Sequence, residues 1–148
     1  MPNPTGYTRP QIWLHWIVAL LIVLQFVFSD TISSAWRAIA RGQDFVFTPF
    51  IAQHVIGGML IFALVVWRIV LRFRHGAPPP PAEESAVLKL VAKGTHGLLY
   101  LLMIGLPLSG SAAWFGGVEA AALGHGVMKT GLLLLVVLHV VGALYHQF

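Results

Sequence analysis

Apolar residues fall into four long runs along the chain, and the short connectors between them carry most of the charge. The runs extend from about Ile12 to Ser29, Phe50 to Phe73, Leu90 to Trp114 and Gly126 to Gln147. A helix that crosses the hydrocarbon core of a bilayer needs roughly 20 predominantly apolar residues, within a range of about 17–25. Each run is of that length, so the pattern predicts four transmembrane helices, the third containing Pro107.

The connectors differ in character. Asp30 to Thr48 holds Trp36, Arg37, Arg41 and Asp44, and its Trp and Phe residues suit a segment lying along the membrane interface. Arg74 to Lys89 contains four consecutive prolines, Pro78 to Pro81, then Glu83 and Glu84. Such a run cannot be helical and predicts a stiff, exposed connector. Phe115 to His125 reads as a short glycine-rich turn.

Composition agrees with lipid as the main solvent. Only 9% of the residues are charged and 57% are hydrophobic, whereas soluble domains average about 25% charged. At 148 residues the chain has room for one domain, expected as a single bundle over 1–148. The formal net charge of +4 does not call for nucleic acid, because membrane proteins concentrate Lys and Arg in cytoplasmic loops. The absence of cysteine excludes disulfides, iron–sulfur clusters and thiolate ligands. No small-residue cleavage site follows the first apolar run, which reads as a retained helix rather than a signal peptide. Arg9, Arg68, Arg72, Arg74, Lys89 and Lys93 fall on one side, against Arg37, Arg41 and Lys129 on the other. The positive-inside rule then predicts that both termini and the proline connector are cytoplasmic. The expected architecture is an all-α, integral membrane four-helix bundle that crosses the membrane several times.

Histidine is the unusual residue. Seven occur, and a polar side chain at membrane depth is costly and usually faces the bundle interior. His15 lies near the cytoplasmic end of the first helix and His54 near the outer end of the second. His96 lies near the cytoplasmic end of the third, and His125 opens the fourth on the outer side. His139 and His146 lie lower on that fourth helix, while His75 reads as a solvated residue of the connector. His125 and His139 are 14 residues apart, about 40° short of four full turns at 3.6 residues per turn, so their rings share a face about 21 Å apart along the axis. His54 can match His125 at the outer level, and His15 can match His139 at the inner level. Any one of them alone could be a hydrogen-bonded core residue; four at correlated depths point to two bis-histidine sites. Zinc takes a tetrahedral cluster at one depth, whereas these histidines form two levels.

Two imidazoles fill both axial positions of a haem iron, which favours electron transfer over ligand binding, and the flat apolar macrocycle fits between helices. Gly57, Gly58, Gly131 and Gly142 lie close to these histidines in sequence. They either leave room for a ring or allow close helix packing. Gly105 and Ser109 form a small-residue spacing able to pack a helix within the bundle or a second copy.

At this point the sequence resembles the bacterial cytochrome b561 family, which is related to the cytochrome b subunits of nickel hydrogenases and formate dehydrogenases. The residues that carry the resemblance are Trp13-Leu14-His15-Trp16 and Gln53-His54-Val55-Ile56-Gly57. They continue with Gly94-Thr95-His96-Gly97-Leu98-Leu99-Tyr100, then Leu106-Pro107-Leu108-Ser109-Gly110, His125, His139 and Tyr145-His146. The resemblance implies two b haems, with His15 and His139 on the inner iron and His54 and His125 on the outer one. It also implies ubiquinone or another quinone near the inner haem. Similar members include a superoxide oxidase that passes electrons from superoxide to ubiquinone. Relatives commonly continue into a basic tail, where this sequence stops at Phe148.

The functional expectation is electron transfer from the outer face to a quinone near the inner face, with His96, His146 and Lys93 as quinone-binding candidates and Lys89 assisting. Arg37, Arg41 and Lys129 either steer an anionic donor such as superoxide or anchor the interface. Arg68 and Arg72 are expected on headgroups or propionates. The alternative is a membrane-anchor subunit between a partner hydrogenase or other dehydrogenase and the quinone pool. A non-redox transporter or scaffold would be colourless, and the pairing of histidines by depth argues against it.

Overall fold

A computed structural model of the chain describes residues 6–79 and 83–145. Its elements are α1 (Arg9–Val27), α2 (Ser29–Ala40), α3 (Pro49–His75), α4 (Ala86–Gly116) and α5 (Glu119–Tyr145). All are helical, and α1, α3, α4 and α5 are long and apolar enough to cross a membrane. The four predicted spans are thus present, forming a four-helix membrane bundle. Four crossings would put Arg9 and Tyr145 on the same side.

Local chemistry sets the helix ends. Thr8 N and Oγ1 donate to Gln11 Oε1 at 2.8 and 3.0 Å, closing the first turn of α1. Gln11 is itself buried, and its Nε2 donates to the Gly76 carbonyl at 3.1 Å. That bond ties the start of α1 to the end of α3. Gly76 can stop α3 there because it adopts φ +73°, ψ −169°, a region essentially restricted to glycine. Thr48 and Ser85 cap α3 and α4 through their hydroxyls, with Pro49 in the first turn of α3.

Within the connector expected to lie along the membrane interface, Ser29–Ala40 forms α2. One boundary departs from the sequence expectation: α5 begins at Glu119, seven residues before Gly126, so the expected turn over 115–125 shrinks to Gly117–Val118. Gly117 takes φ +65° and makes that turn alone. Gly124 and Gly126 are helical, as glycine commonly is in membrane helices.

Packing joins α4 to α5 most extensively, α1 to α3, and α3 to α4, with α2 laid against α3. Gly105 and Ser109 pack α4 onto α5: a methyl group on Gly105 would meet Met128 Sδ at 3.0 Å, and Ser109 Oγ lies 3.2 Å from His125 Nδ1. Their small-residue spacing therefore works inside the bundle. The fully apolar cluster of Val18, Ile61 and Val65, with Leu21, Ile22 and Met103 against it, occupies the middle of the span. Outside it, large apolar side chains such as Trp16, Leu20, Val66, Leu101 and Leu134 stay exposed, as lipid-facing residues must. At the end that the charge pattern is expected to place outside, called outer below, Phe28 stacks on Phe50 with centroids 5.0 Å apart, and Phe45 meets Trp114 edge-on at 5.8 Å.

Candidate functional site

The bundle brings the predicted histidines together in two levels. His54 lies five residues into α3 and His125 six residues into α5. Their ring centroids are 6.3 Å apart at 63°. At the opposite end His15 lies six residues into α1 and His139 six residues before the end of α5. These rings are 6.0 Å apart at 76°. Midway between His125 and His139, seven residues from each, Leu132 is the buried residue of α5, on the face that both histidines share.

The spacing fits an iron between each pair. An imidazole nitrogen binds a first-row metal at about 2 Å, and the ring centre lies about 1 Å beyond it, so a bis-imidazole iron separates two centroids by about 6 Å. Among the described residues no group of three or more His, Cys, Asp or Glu is arranged to hold a metal ion. The outer pair opens on a mostly apolar cleft of about 330 Å³, whose walls include His54, His125, Gly58, Trp36, Arg37 and Lys129. Gly58 and Gly142 have open space where a side chain would stand, and Gly131 meets only Leu102 at ordinary contact distance. Gly57 instead faces the Gln25 amide, which a methyl group there would strike.

Hydrogen bonding fixes the state of one ligand candidate. His125 Nδ1 lies 3.0 Å from the Leu106 carbonyl oxygen. A carbonyl only accepts, so Nδ1 carries the proton and Nε2 keeps its lone pair for a metal. The Leu106 carbonyl also accepts from Ser109 Oγ at 3.0 Å. Gly110 allows the ring to approach α4, since a methyl group there would lie 3.1 Å from His125 Cε1 and 3.2 Å from Nδ1.

His96 stands beside the inner pair, its centroid 5.0 Å from that of His139 at 84°. That is direct edge contact, too close for an iron with two bonds of about 2 Å. Its Nδ1 donates to the Ala92 carbonyl at 2.7 Å, one turn back on α4. Lys93 is exposed one turn before it. The other quinone candidate, His146, lies outside the described residues. His75 is exposed, as expected, with Nδ1 3.2 Å from the Leu71 carbonyl. Arg68 follows His54 by 14 residues on α3, which puts it on the same face at the inner level. It is half-buried, and its Nε donates to Tyr100 Oη at 3.0 Å. The partner it makes in the bundle is thus Tyr100, a contact that the sequence reading missed.

Of the three basic residues on the outer side, Arg37 and Lys129 line the cleft and Arg41 ends α2. Two polar groups escaped the sequence reading altogether: Gln25, beside His54, and the Leu106 carbonyl. The signal for Gln25 was an amide within a spanning apolar run, which carries the same cost as a membrane histidine.

Comparison with known proteins gives the family. A family profile described as prokaryotic cytochrome b561 matches residues 6–148. Cytochrome b562 of Cereibacter sphaeroides is 35% identical over the whole chain and 91% of its own length. A Yersinia pestis protein named "Probable superoxide oxidase CybB" is 31% identical over 72% of this chain and 56% of its own. Cytochrome b561 homolog 1 of Escherichia coli is 25% identical over 82% of the chain and 66% of its own.

Proposed function

Because the chain belongs to the prokaryotic cytochrome b561 family, we propose that it carries electrons from the outer face of the membrane to a quinone near the inner face. A membrane electron-transfer cytochrome of this family implies haem b. Our reading goes further: it takes His54 and His125 as the axial pair of an outer haem, and His15 and His139 as the pair of an inner haem. The observation that carries it is the presence of both pairs at iron-compatible spacing, 6.3 and 6.0 Å, one at each end of the same helix. Haems so held would exchange one electron at a time with little change in geometry.

The protein's own residues prepare the two ends differently. At the outer end Arg37 and Lys129 add positive charge around the cleft, which raises the local concentration of an anionic donor. Superoxide is the donor favoured by this charge. Two superoxide ions would each give up one electron and leave as dioxygen. At the inner end His96 touches His139 while its Nδ1–H is held by Ala92. Its Nε2 remains able to accept or relay a proton. A quinone would take the two electrons and two protons from water to become a quinol, with His96 and Lys93 as candidates to bind it and His146 a further candidate from the sequence alone. In the middle, Leu132, Ile61 and Val65 keep the path between the levels dry. The positive-inside distribution supports a cytoplasmic inner end and cytoplasmic termini.

The test is to add superoxide to the purified protein in detergent with a water-soluble quinone. Rapid appearance of the reduced b-type spectrum, followed by quinone reduction, is expected. No response to superoxide, with ready reduction by a partner dehydrogenase, would transfer the role to a membrane-anchor subunit.

A further inference from the structure

Gln25 lies in the third-last position of α1, half-buried in an otherwise apolar stretch. One end of its side-chain amide is 2.7 Å from His54 Nδ1, and the other is 3.1 Å from Gly58 N. Gly57 lies directly beneath it, where a methyl group would collide with the amide. Two independent features thus converge on one contact: an amide at hydrogen-bond distance from the ring, and a glycine that makes room for it.

The amide can face the ring in two ways. With nitrogen toward the ring it would donate to Nδ1 and to the His54 carbonyl at 3.3 Å while its oxygen accepts from Gly58 N–H at 3.1 Å, the arrangement that best satisfies the amide without a metal, and the His54 proton would then reside on Nε2. A ring in that state has no lone pair on Nε2 for a metal. With oxygen toward the ring it accepts from Nδ1–H, and the lone pair falls on Nε2. The second state matches His125 across the cleft, whose Nδ1–H is held by the Leu106 carbonyl. We propose that Gln25 is a positioning residue for the outer site: its amide oxygen accepts from His54 Nδ1–H, fixes the ligating tautomer and strengthens the ring as an electron donor to iron. The proposal rests on the reading that His54 and His125 hold a haem.

An acceptor on the far nitrogen raises ligand basicity. A more basic ligand favours oxidised iron, so Gln25 lowers the potential of the outer haem. Gln25→Leu keeps the bulk and removes the acceptor; Gln25→Glu supplies a stronger one. Potentiometric titration of both variants, with the ferric low-spin EPR signals recorded alongside, reads the effect. His54→Ala identifies which of the titrating haems is the outer one.

Gln25→Leu is expected to raise that potential by the equivalent of about a tenfold change in the reduced-to-oxidised ratio, or about 59 mV for one electron. Gln25→Glu should lower it, and the other haem should stay put in both. Gly57→Ala, by displacing the amide, should shift the potential as Gln25→Leu does and add nothing to it in the double variant. Loss of the outer haem from Gln25→Leu with retention in Gln25→Glu supports the same role, because such outer-shell bonds contribute about 10–100-fold to metal affinity. Unchanged potentials and EPR signals overturn it. So do shifts in the same direction in both variants, or loss of the haem from both, which mark a packing effect. If His54→Ala keeps the full haem complement, the proposed haem site itself fails and Gln25 with it. If His54→Ala loses one haem while the Gln25 variants titrate like the parent, only the role of Gln25 falls.

Discussion

At the residue scale, the outer site depends on contacts of a few tenths of an ångström. A methyl group at Gly110 would press on the His125 ring at 3.1 and 3.2 Å, and the ring cannot retreat without losing the Leu106 carbonyl at 3.0 Å. Gly110→Ala should therefore weaken retention of one haem by about tenfold, the low end of what a lost outer-shell contact costs, and leave the other intact. Haem content after extensive washing of the purified variant checks this. Ser109→Ala removes one of two hydroxyl and ring contacts on the same carbonyl and should have a much smaller effect. The histidines themselves were legible in the sequence, because a polar ring at membrane depth has few reasons to be there. Gln25 carried the same signal, but its meaning depends on how α1 crosses α3, and neither sequence nor spacing fixes that crossing. The third inner histidine is a similar case. His96 had the right depth, but its edge contact with His139 exists only once α4 and α5 are packed.

At the element scale, each helix end has its own local cause. Gln11 holds the start of α1 to the Gly76 carbonyl, and Gly76 occupies a backbone region essentially reserved for glycine. Gly76→Ala should destabilise the inner end of α3 by about 1–3 kcal/mol, and Gln11→Ala by about 1 kcal/mol for the lost bond. Thermal loss of the haem absorbance in detergent, compared with the parent, measures both. Pro107 belongs to the same scale. It has no N–H to give to the Met103 carbonyl, and the carbonyl of Leu106, the residue immediately before it, is the one that holds His125. Pro107→Ala should leave the bundle folded and disturb the outer haem more than the inner, a difference visible in the two potentials. The four spans were legible from apolar length alone. The start of α5 was not, because Gly124 and Gly126 look like turn residues in a sequence, whereas in lipid a helix closes its own hydrogen bonds and tolerates them.

At the scale of the whole molecule, α5 presents His125, Leu132 and His139 along one face, and α1 and α3 each bring one histidine to it. The two levels are about 21 Å apart along the axis, with apolar side chains between. Positive charge at the outer cleft should make reduction by an anionic donor sensitive to salt. The rate should fall as ionic strength rises, and more so in the parent than in Arg37→Ala or Lys129→Ala; stopped-flow reduction at several salt concentrations reads this. The meeting of histidine rings at two levels was readable from the 14-residue spacing and the position of each histidine along its span, while the polar contacts to each ring were not. The most direct measurement is the haem b content per chain of the pure protein, by pyridine haemochrome, in the parent and in His54→Ala and His15→Ala. Two haems in the parent and one in each variant, with different potentials remaining, are expected. A single haem in the parent, or the same haem lost from both variants, would contradict two separate bis-histidine levels.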